Sequence, residues 1–388
     1  MALKPAGERR LSACRCNESV RGTNFFRGKD ELSRKTILVT GSSGLIGSEA
    51  VEYFDRQGHC VIGMDNNMRR AFFGPQGDTS WNLERLRSVT RNFIPHDIDI
   101  RDAEKVREVF QEHHFDLIVH CAAQPSHDKA VDIPILDFEV NALGTLHLLE
   151  ATRRHSPEAV FVFMSTNKVY GDAPNEILFE ELETRYDYAR PEDFEGVSET
   201  CRIDRTLHSL FGASKAAADI VAQEYGRYFK MNVGVFRGGC LTGPSHPGVE
   251  LHGFLSYLVQ VGLNGGTYSV FGYKGKQVRD NIHSYDVVRA IEEFSENPRP
   301  GEVYNLGGGR ENSVSVIEAI SRLERMTGRK LNWRYLEEAR RGDHICYISN
   351  LDKFKRHYPN WKLTRSLDDI LAEIVASHRP QVAQTAGK

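Results

Sequence analysis

The sequence predicts an α/β fold in which a doubly wound parallel sheet carries a second, smaller α/β lobe. Three observations support this prediction. A short apolar strand at residues 35–40 leads into a glycine-spaced turn and a helix, further apolar strands alternate with amphipathic helices, and long stretches rich in turn residues interrupt the alternation. Such an alternation is typical of a parallel sheet covered by helices on both faces.

The glycine-spaced turn follows the first strand directly and reads Gly41-Ser-Ser-Gly44-Leu-Ile-Gly47. Gly41 permits a tight turn, Gly44 lets backbone N–H groups approach a pyrophosphate, and Gly47 lets the helix pack closely on the strand. The N-terminus of that helix then faces the phosphates, where free N–H groups and the helix dipole favour an anion. Strand, turn and helix together predict a dinucleotide site of the Rossmann type.

A second apolar run, at residues 59–64, ends at Asp65. An acid about 20 residues beyond the glycines accepts hydrogen bonds from the adenosine ribose hydroxyls and disfavours a 2′-phosphate. We therefore predict NAD as the cofactor. Arg69 and Arg70 follow closely and leave NADP as the alternative.

Composition places the chain among ordinary globular proteins. Its 388 residues are 40% hydrophobic and 27% charged, with a formal net charge of −3. We expect neither nucleic-acid nor membrane binding, because the chain has no strong basic charge and no apolar run as long as a membrane span. The seven cysteines are scattered, which predicts reduced residues in a cytoplasmic protein. Cys14-Arg-Cys16 has no matching pair at zinc spacing, so no metal site is predicted.

The alternation of strands and helices continues to residue 236, and six or seven parallel strands are expected. After the strand at 59–64, the predicted elements are a strand at 92–95, a helix at 106–113, a strand at 116–123, a helix at 135–155, a strand at 159–164, a helix at 214–229 and a strand at 232–236.

Two long stretches interrupt this pattern. Residues 174–205 are acidic and irregular, and residues 239–272 are rich in Gly, Pro and His. Loops of that length are usually functional, and ligands of open α/β sheets sit at the carboxyl ends of the strands. We predict a flexible extension at 1–33, an NAD-binding domain at 34–173, 206–238 and 281–308, a substrate-binding lobe at 174–205, 239–280 and 309–378, and a tail at 379–388.

Four short strings mark a resemblance that runs from about residue 35 to about residue 375. They are STNKVYGD at 165–172, ETRY at 183–186, the pattern HSxxGxSKxAAD at 208–219, and GKQVRD at 275–280. With them the chain resembles the extended short-chain dehydrogenase/reductases of the sugar-nucleotide epimerase and dehydratase family, and within it most the CDP-paratose/CDP-tyvelose 2-epimerase group. The resemblance implies bound NAD, a nucleotide-diphosphate sugar as substrate, with a CDP-hexose favoured, and a homodimer formed by helices at about 139–155 and 214–229.

The resemblance also implies a catalytic set made of a Ser or Thr, a Tyr and a Lys. Thr166 occupies the first position and Lys215 the last. Lys215 would bind the nicotinamide ribose and lower the pKa of a neighbouring acid, while Thr166 would hold the sugar hydroxyl that is oxidised. Phe211 stands where the family has its tyrosine base. A phenyl ring cannot accept the alcohol proton.

Three explanations of Phe211 stay open at this point. It is an engineered substitution that traps a complex, the mark of a natural subgroup that uses another base, or the mark of a protein that binds the cofactor without turnover. The natural subgroup is favoured, because Leu210 also departs from the usual proline.

Three residues are candidates to replace the tyrosine base. His127 lies in the loop after the strand that ends at residue 123, and a histidine titrates near neutral pH. Asp128, next to it, would tune that titration. Tyr186 and His208 are the further candidates.

Ligand contacts are carried over from the resemblance position by position, and guanidinium groups among them suit phosphate oxygens. The cofactor contacts implied are Gly41, Gly44, Leu45, Ile46, Gly47, Asp65, Asn66, Asn67, Asp99, Ile100, Ala122, Ala123, Gln124, Asn141, Ser165 and Lys215. The substrate contacts implied are Ser126, Asp128, Thr166, Asn167, Lys168, Arg279, Arg340 and Asp343.

The two residues after Thr166 separate the possible reactions. A 4,6-dehydratase needs an acid and a base there, usually Asp-Glu, and this chain has Asn167 and Lys168. Elimination is therefore not expected. The leading hypothesis is C2 epimerisation of a CDP-linked hexose through transient oxidation to a keto-sugar. The alternatives are another oxidation-initiated reaction, such as 4-epimerisation, and a non-catalytic protein that binds NAD and a nucleotide sugar.

Overall fold

Strands and helices alternate from residue 36 onward in this computed structural model, which describes residues 34–246, 248–249, 253–339 and 342–385. The strands in chain order are β1 Thr36–Thr40, β2 Cys60–Met64, β3 Phe93–His96, β4 Leu117–His120, β5 Val160–Thr166, β6 Phe179–Glu181, β7 Tyr186–Tyr188, β8 Asn232–Gly238, β9 Cys240–Thr242, β10 Thr267–Phe271, β11 Val278–His283, β12 Glu302–Leu306, β13 Ser313–Ser315, β14 Asn332–Leu336 and β15 Cys346–Tyr347.

The helices cover both faces of the sheet and continue to the end of the described chain. In chain order they are α1 Leu45–Arg56, α2 Met68–Phe73, α3 Ser80–Val89, α4 Ala103–Glu112, α5 His127–Asp132, α6 Pro134–Phe138, α7 Gly144–His155, α8 Leu210–Tyr228, α9 Phe254–Leu263, α10 Ser284–Glu296, α11 Val316–Thr327, α12 Asp352–His357 and α13 Leu367–Thr385. In the described part of the chain, no helix combines the length and the apolar character needed to cross a bilayer.

Seven strands form the predicted parallel sheet, in the order β12-β8-β5-β4-β1-β2-β3. β1 lies inside the sheet, with Thr36 opposite Cys60 of β2 and Ile37 opposite Leu117 of β4. The chain runs outward through β2 and β3 on one side of β1, and through β4, β5, β8 and β12 on the other. The strand order therefore reverses beside β1, and a crevice for a ligand is expected at the carboxyl ends there.

The strands of this sheet are apolar on both faces, as a doubly covered parallel sheet requires. Ile37 and Val39 of β1 enter the core beneath α1 and α10, whereas Leu38 enters the opposite core beneath α4 and α7. The fold class predicted from the sequence is thus confirmed.

A further core, separate from the two on the faces of the sheet, is built from the later part of the chain. Leu255 and Leu258 of α9 pack with Ile320 of α11 and Leu371 of α13. β10 and β14 pair in parallel, and β11 pairs with β9, β13 and β15. The description of residues 239–272 as loop was wrong, because β9, α9 and β10 lie there. The apolar run at 254–263 forms a helix although glycines flank it.

Several element boundaries also differ from the sequence expectation, and the strand expected at 116–123 ends already at His120. The helix expected at 135–155 is divided by a short π-helix, Glu139–Leu143, between α6 and α7. α8 begins at Leu210 rather than 214, because Ser209 Oγ accepts a hydrogen bond from Gly212 N and caps the helix. β5 extends to Thr166, so the predicted catalytic threonine ends a strand. The extension predicted at 1–33 lies outside the described residues.

Candidate active site

One cavity of about 440 Å³ runs along the carboxyl ends of the sheet strands, from the glycine turn to Asp343. It brings together most of the residues selected from the sequence. Those that line it are Gly41, Gly44, Leu45, Ile46, Gly47, Asp65, Asn66, Asp99, Ile100, Ala122, Ala123, His127, Ser165, Thr166, Asn167, Lys168, Phe211, Lys215, Arg279 and Asp343.

Several selected residues lie elsewhere. Among the described residues, Asn67, Gln124, Ser126, Asp128 and Asn141 do not line the cavity. Asn67 instead donates from Nδ2 to Asp78 Oδ1 at 2.8 Å and ends the turn before α2. Arg340 lies outside the described residues.

The glycine turn at one end of the cavity is shaped for a dinucleotide. Gly41 has φ 66°, and a Cβ on it would lie 2.9 Å from Ala122 N. A Cβ on Gly47 would lie 2.0 Å from Gly41 O, so only glycine lets α1 pack this closely on the turn. No side chain caps α1 at Gly44, which leaves the first N–H groups of the helix for an anion. These residues therefore fit a bound pyrophosphate.

Asp65 follows β2 beside this turn and its carboxylate is held in place. Its Oδ2 accepts from Ser43 N at 2.9 Å, and its Oδ1 accepts from Asn67 N at 2.8 Å. Burial raises the pKa of Asp65, and these hydrogen bonds oppose the rise. A carboxylate has about four lone-pair sites, so two remain for ribose hydroxyls. Of the two arginines that favoured NADP, Arg69 lines the cavity, while Arg70 is exposed and pairs with an acid on the surface.

The middle of the cavity holds the predicted catalytic set. Thr166 Oγ1 accepts from Lys168 N at 3.2 Å. Lys215 is 3% exposed, donates from Nζ to Met164 O at 2.8 Å, and lies 4.2 Å above the ring of Phe163. Burial lowers the pKa of Lys215 to about 8, although nearby acids oppose the shift. Phe211 lies one turn earlier on α8 and faces the same cavity.

The three candidates for a replacement base differ in whether they line the cavity. His127 begins α5 and lines the cavity, with Nδ1 3.3 Å from Asp128 Oδ1. Tyr186 donates to Glu181 Oε2 at 3.2 Å, and His208 Nε2 lies 2.7 Å from Val169 O. Neither of these two lines the cavity, so of the three candidates only His127 does.

A charged cluster forms the other end of the cavity. Lys168 Nζ donates to Gly342 O at 2.9 Å and lies 3.5 Å from Asp343 Oδ1. Arg279, from β11, donates to the same carboxylate oxygen. The side chains of Lys168, Arg279 and Asp343 are 16%, 12% and 19% exposed. Two cations around one carboxylate make a partly buried positive site, which suits a diphosphate.

The sequence analysis missed one wall of this cavity and one group next to it. The wall comes from α9 and β10, whose only sequence signal was the apolar run at 254–263. The group is Asp137, a buried acid in α6 that does not line the cavity and whose partners come from distant segments. The cysteines in the described residues are free, and no group of three or more His, Cys, Asp or Glu there is placed to hold a metal. The wall residues are Leu255, Tyr257, Tyr268, Ser269, Val270 and Phe271.

Comparisons with known proteins agree with this geometry. Residues 37–307 match the NAD dependent epimerase/dehydratase family. The CDP-paratose 2-epimerase of Salmonella typhi is 31% identical over 82% of this chain and 91% of that protein. The UDP-glucose 4-epimerase of Drosophila melanogaster is 30% identical over 86% of this chain and 93% of that protein. Among solved structures, a Thermus thermophilus UDP-glucose 4-epimerase in complex with NAD is 26% identical, with a TM-score of 0.70 over 89% of this chain and 99% of that one.

Proposed function

The chain belongs to the NAD dependent epimerase/dehydratase family, and on this premise we propose that it epimerises a CDP-linked hexose at C2. The observation that carries the proposal is the continuity of the cavity. The glycine turn, the Thr166 and Lys215 pair, and the Arg279 and Asp343 cluster all line one space. Epimerisation by oxidation needs a cofactor and a sugar held against each other, and an enclosed site supplies that orientation.

The residues at the cofactor end of the cavity would bind NAD. When bound, NAD supplies a reversible hydride acceptor. The glycine turn and the N-terminus of α1 would hold its pyrophosphate. Asp65 would accept from the adenosine ribose, Lys215 would bind the nicotinamide ribose, and Asp99 with Ile100 would contact the adenine. The division into an NAD-binding domain and a substrate-binding lobe, with the boundaries given above, is part of this proposal.

The charged end of the cavity would take the nucleotide diphosphate. Lys168 and Arg279 bind its phosphate oxygens, and Asp343 accepts hydrogen bonds from its ribose. Support for a CDP-sugar comes from the similarity to the Salmonella typhi CDP-paratose 2-epimerase. Support for epimerisation over dehydration comes from Asn167 and Lys168, which offer no carboxylic acid to expel water from the sugar.

His127 would act as the proton acceptor in place of the missing tyrosine. Thr166 Oγ1 holds the C2 hydroxyl while the C2–H bond breaks, and His127 takes the hydroxyl proton. Lys215, when charged, stabilises the negative charge that develops on the oxygen. The keto-sugar then rotates in the cavity and presents its opposite face. The imidazolium of His127 returns the proton to the oxygen as the C–H bond forms on that face. Phe211 supplies an apolar wall beside this exchange.

Proton NMR of the anomeric signals tests the reaction. The purified protein is incubated with NAD in D2O, separately with CDP-paratose, CDP-glucose and UDP-glucose. We expect the signals of a C2 epimer with a CDP-sugar and no deuterium at C2, because the hydride returns without meeting solvent. Conversion of UDP-glucose at C4 would favour the second candidate, a 4-epimerase, which the similarity to several UDP-sugar 4-epimerases supports. Failure to convert any nucleotide sugar would contradict both.

Restoring the tyrosine tests the role of Phe211. If His127 is the acceptor, Phe211→Tyr gains nothing and lowers kcat, because a phenol then competes for the sugar hydroxyl. If the chain is a binding protein that lost its base, Phe211→Tyr raises turnover by ~10²–10⁴, the usual contribution of a positioned acid or base. The measurement is kcat with the sugar that reacts, or with CDP-glucose if none does.

A homodimer is part of the same proposal. Leu146 of α7 and Ile220 of α8, on the two helices named above, are 36% and 46% exposed. Large apolar side chains exposed on adjoining helices are typical of a surface that another subunit covers. Sedimentation of the wild type should give a dimer, and Ile220→Glu should give a monomer. A monomeric wild type would contradict the proposal.

A further inference from the structure

A buried polar cluster lies next to the cavity, between the starts of α5 and α8, and the proposed reaction does not use it. At its centre is the carboxylate of Asp137 in α6. It accepts hydrogen bonds from Gln124 Nε2 at 2.7 Å, from Asn141 Nδ2 at 3.2 Å and from the hydroxyl of Ser214. These four residues are at most 1% exposed. Asp137 does not line the cavity, so it would act on a ligand through the residues that it binds or through its charge.

Gln124 extends this cluster to the start of α5. Its Oε1 accepts from Ser126 N at 2.7 Å, and its Nε2 donates to Ser126 O at 2.8 Å. One amide group therefore holds both backbone polar groups of the residue before His127. Asn141 fixes Gln124 in turn, because its Oδ1 accepts from Gln124 N at 3.0 Å and its Nδ2 donates to Gln124 O at 3.1 Å.

Ser214 extends the cluster to the first turns of α8. Its Oγ accepts from Asn141 Nδ2 at 3.1 Å and lies 3.1 Å from Phe211 O. Lys215 is the next residue and faces the cavity. The charge of Asp137 is also one of those that oppose the lowering of the Lys215 pKa by burial. One carboxylate thus connects the turn that carries His127 with the turn that carries Phe211 and Lys215.

The cluster needs an acid at its centre. An ionised carboxylate accepts at both oxygens and donates at neither, so it satisfies three donors together. An asparagine in its place has one accepting oxygen and carries no charge, so it would turn an NH2 group toward at least one of these partners and lose the charge-assisted hydrogen bond there. Burial raises the pKa of Asp137, and the hydrogen bonds from Ser214, Gln124 and Asn141 oppose the rise. A buried network of this kind is rigid only while it is complete.

We propose that Asp137 is a positioning residue that sets the imidazole of His127 against the sugar. It holds the start of α5 through Gln124 and the start of α8 through Ser214. The proposal rests on the proposed function, in which His127 accepts the proton. A purely structural role for Asp137 would change stability without moving His127.

The test compares two buried acids. Asp286 is the matched control: it is 0% exposed, does not line the cavity, and accepts from Thr364 N at 2.9 Å, Thr364 Oγ1 at 2.6 Å and Arg365 N at 3.2 Å. Asp137→Asn and Asp286→Asn are made in the full chain. We expect Asp137→Asn to lower kcat by about 10²-fold, the usual effect of a small misplacement of a catalytic group, with KM little changed. Asp286→Asn should lower thermal stability only.

Histidine NMR gives a second readout that needs no turnover. The protein is labelled with 13C at histidine Cε1, and the His127 signal is identified by its loss in His127→Gln. Asp137→Asn should shift or split that signal, and Asp286→Asn should leave it in place. If Asp137→Asn does not fold, Gln124→Leu removes the link between Asp137 and the residue before His127 and should shift the signal in the same way.

The two readouts separate this proposal from the proposed function. A shifted His127 signal in a protein that converts no nucleotide sugar supports the positioning role and contradicts the reaction. An unshifted signal with unchanged kcat in folded Asp137→Asn overturns the positioning role, even where the wild type epimerises a CDP-sugar.

Discussion

The two ends of the cavity are built in opposite ways. At the cofactor end, Gly41, Gly44 and Gly47 act through backbone geometry within seven consecutive residues. At the substrate end, Lys168, Arg279 and Asp343 act through charged side chains from three separate segments. The cofactor end is sensitive to atoms added near the backbone, whereas the substrate end is sensitive to charges removed. This difference predicts which property each substitution changes.

Loss of the proposed base should have the largest effect, and it should leave the cofactor end untouched. His127→Gln is expected to lower kcat by ~10²–10⁴, because glutamine cannot take the proton. The dissociation constant for NAD, measured by calorimetry, should not change. His208→Gln is the control, since His208 bonds to Val169 O outside the cavity. Equal kcat in wild type and His127→Gln would exclude His127 as the acceptor.

Removing a charge from the substrate end should come next in size. Arg279→Gln is expected to weaken binding of CDP by about 2 kcal/mol, the lower end of the range for losing one partner of a buried hydrogen-bonded charge pair. NAD affinity should stay the same. Arg202→Gln is the control, because Arg202 and Glu176 form an exposed pair that contributes little. Calorimetry with CDP alone gives both values, and equal CDP affinities in the two variants would contradict the charged cluster as the diphosphate site.

Adding one carbon to the glycine turn should give the reverse pattern. A Cβ at residue 47 would lie 2.0 Å from Gly41 O, so Gly47→Ala must displace the turn. Overpacking of this kind costs about 1–3 kcal/mol, which we expect to appear in NAD binding, with CDP affinity kept. At Gly266 the nearest atom to an added Cβ is a valine methyl at 3.3 Å, so Gly266→Ala is the control. Full NAD affinity in Gly47→Ala would show that the turn does not hold the pyrophosphate.

The pH dependence of kcat should report Lys215, which lies between the two ends. Its pKa is lowered to about 8, and the proposed role needs the charged amine. Activity should therefore fall as pH rises through about 8, by about tenfold for each unit above it. The titration of Lys215 should not lower the stability of the fold as the pH rises. A lysine whose pKa is lower in the folded state makes folding more favourable as pH rises from about 8 toward the ordinary value near 10.5.

Circular dichroism at each pH separates these two effects. The fold should persist through pH 9 while kcat declines. A kcat that stays constant from pH 7 to pH 9 would show that the charge of Lys215 does not take part.

The contrast between the two ends also explains how much of the site the sequence could predict. The turn at 41–47 and Asp65 were recognisable, because their spacing along the chain encodes their geometry. The resemblance supplied Arg279, Lys168 and Asp343, but their mutual contact depends on packing of the 342–343 segment against Lys168 and β11. The α9 and β10 wall was predicted to be loop, because residues 239–272 are rich in Gly, Pro and His. The helix forms there because its apolar side chains pack on α11 and α13, which lie far along the chain.

The sequence by itself determined the doubly wound parallel sheet and the presence of a dinucleotide turn. The sheet follows from local periodicity, and the turn follows from close backbone approaches that leave no room for a Cβ. Only the tertiary structure decided that His127, and not Tyr186 or His208, faces the cavity, and that Asp137 links α5 to α8. The physical reason is that a buried polar cluster is defined by side-chain donors and acceptors from distant segments. The positions of these residues along the chain do not indicate that they contact each other in the fold.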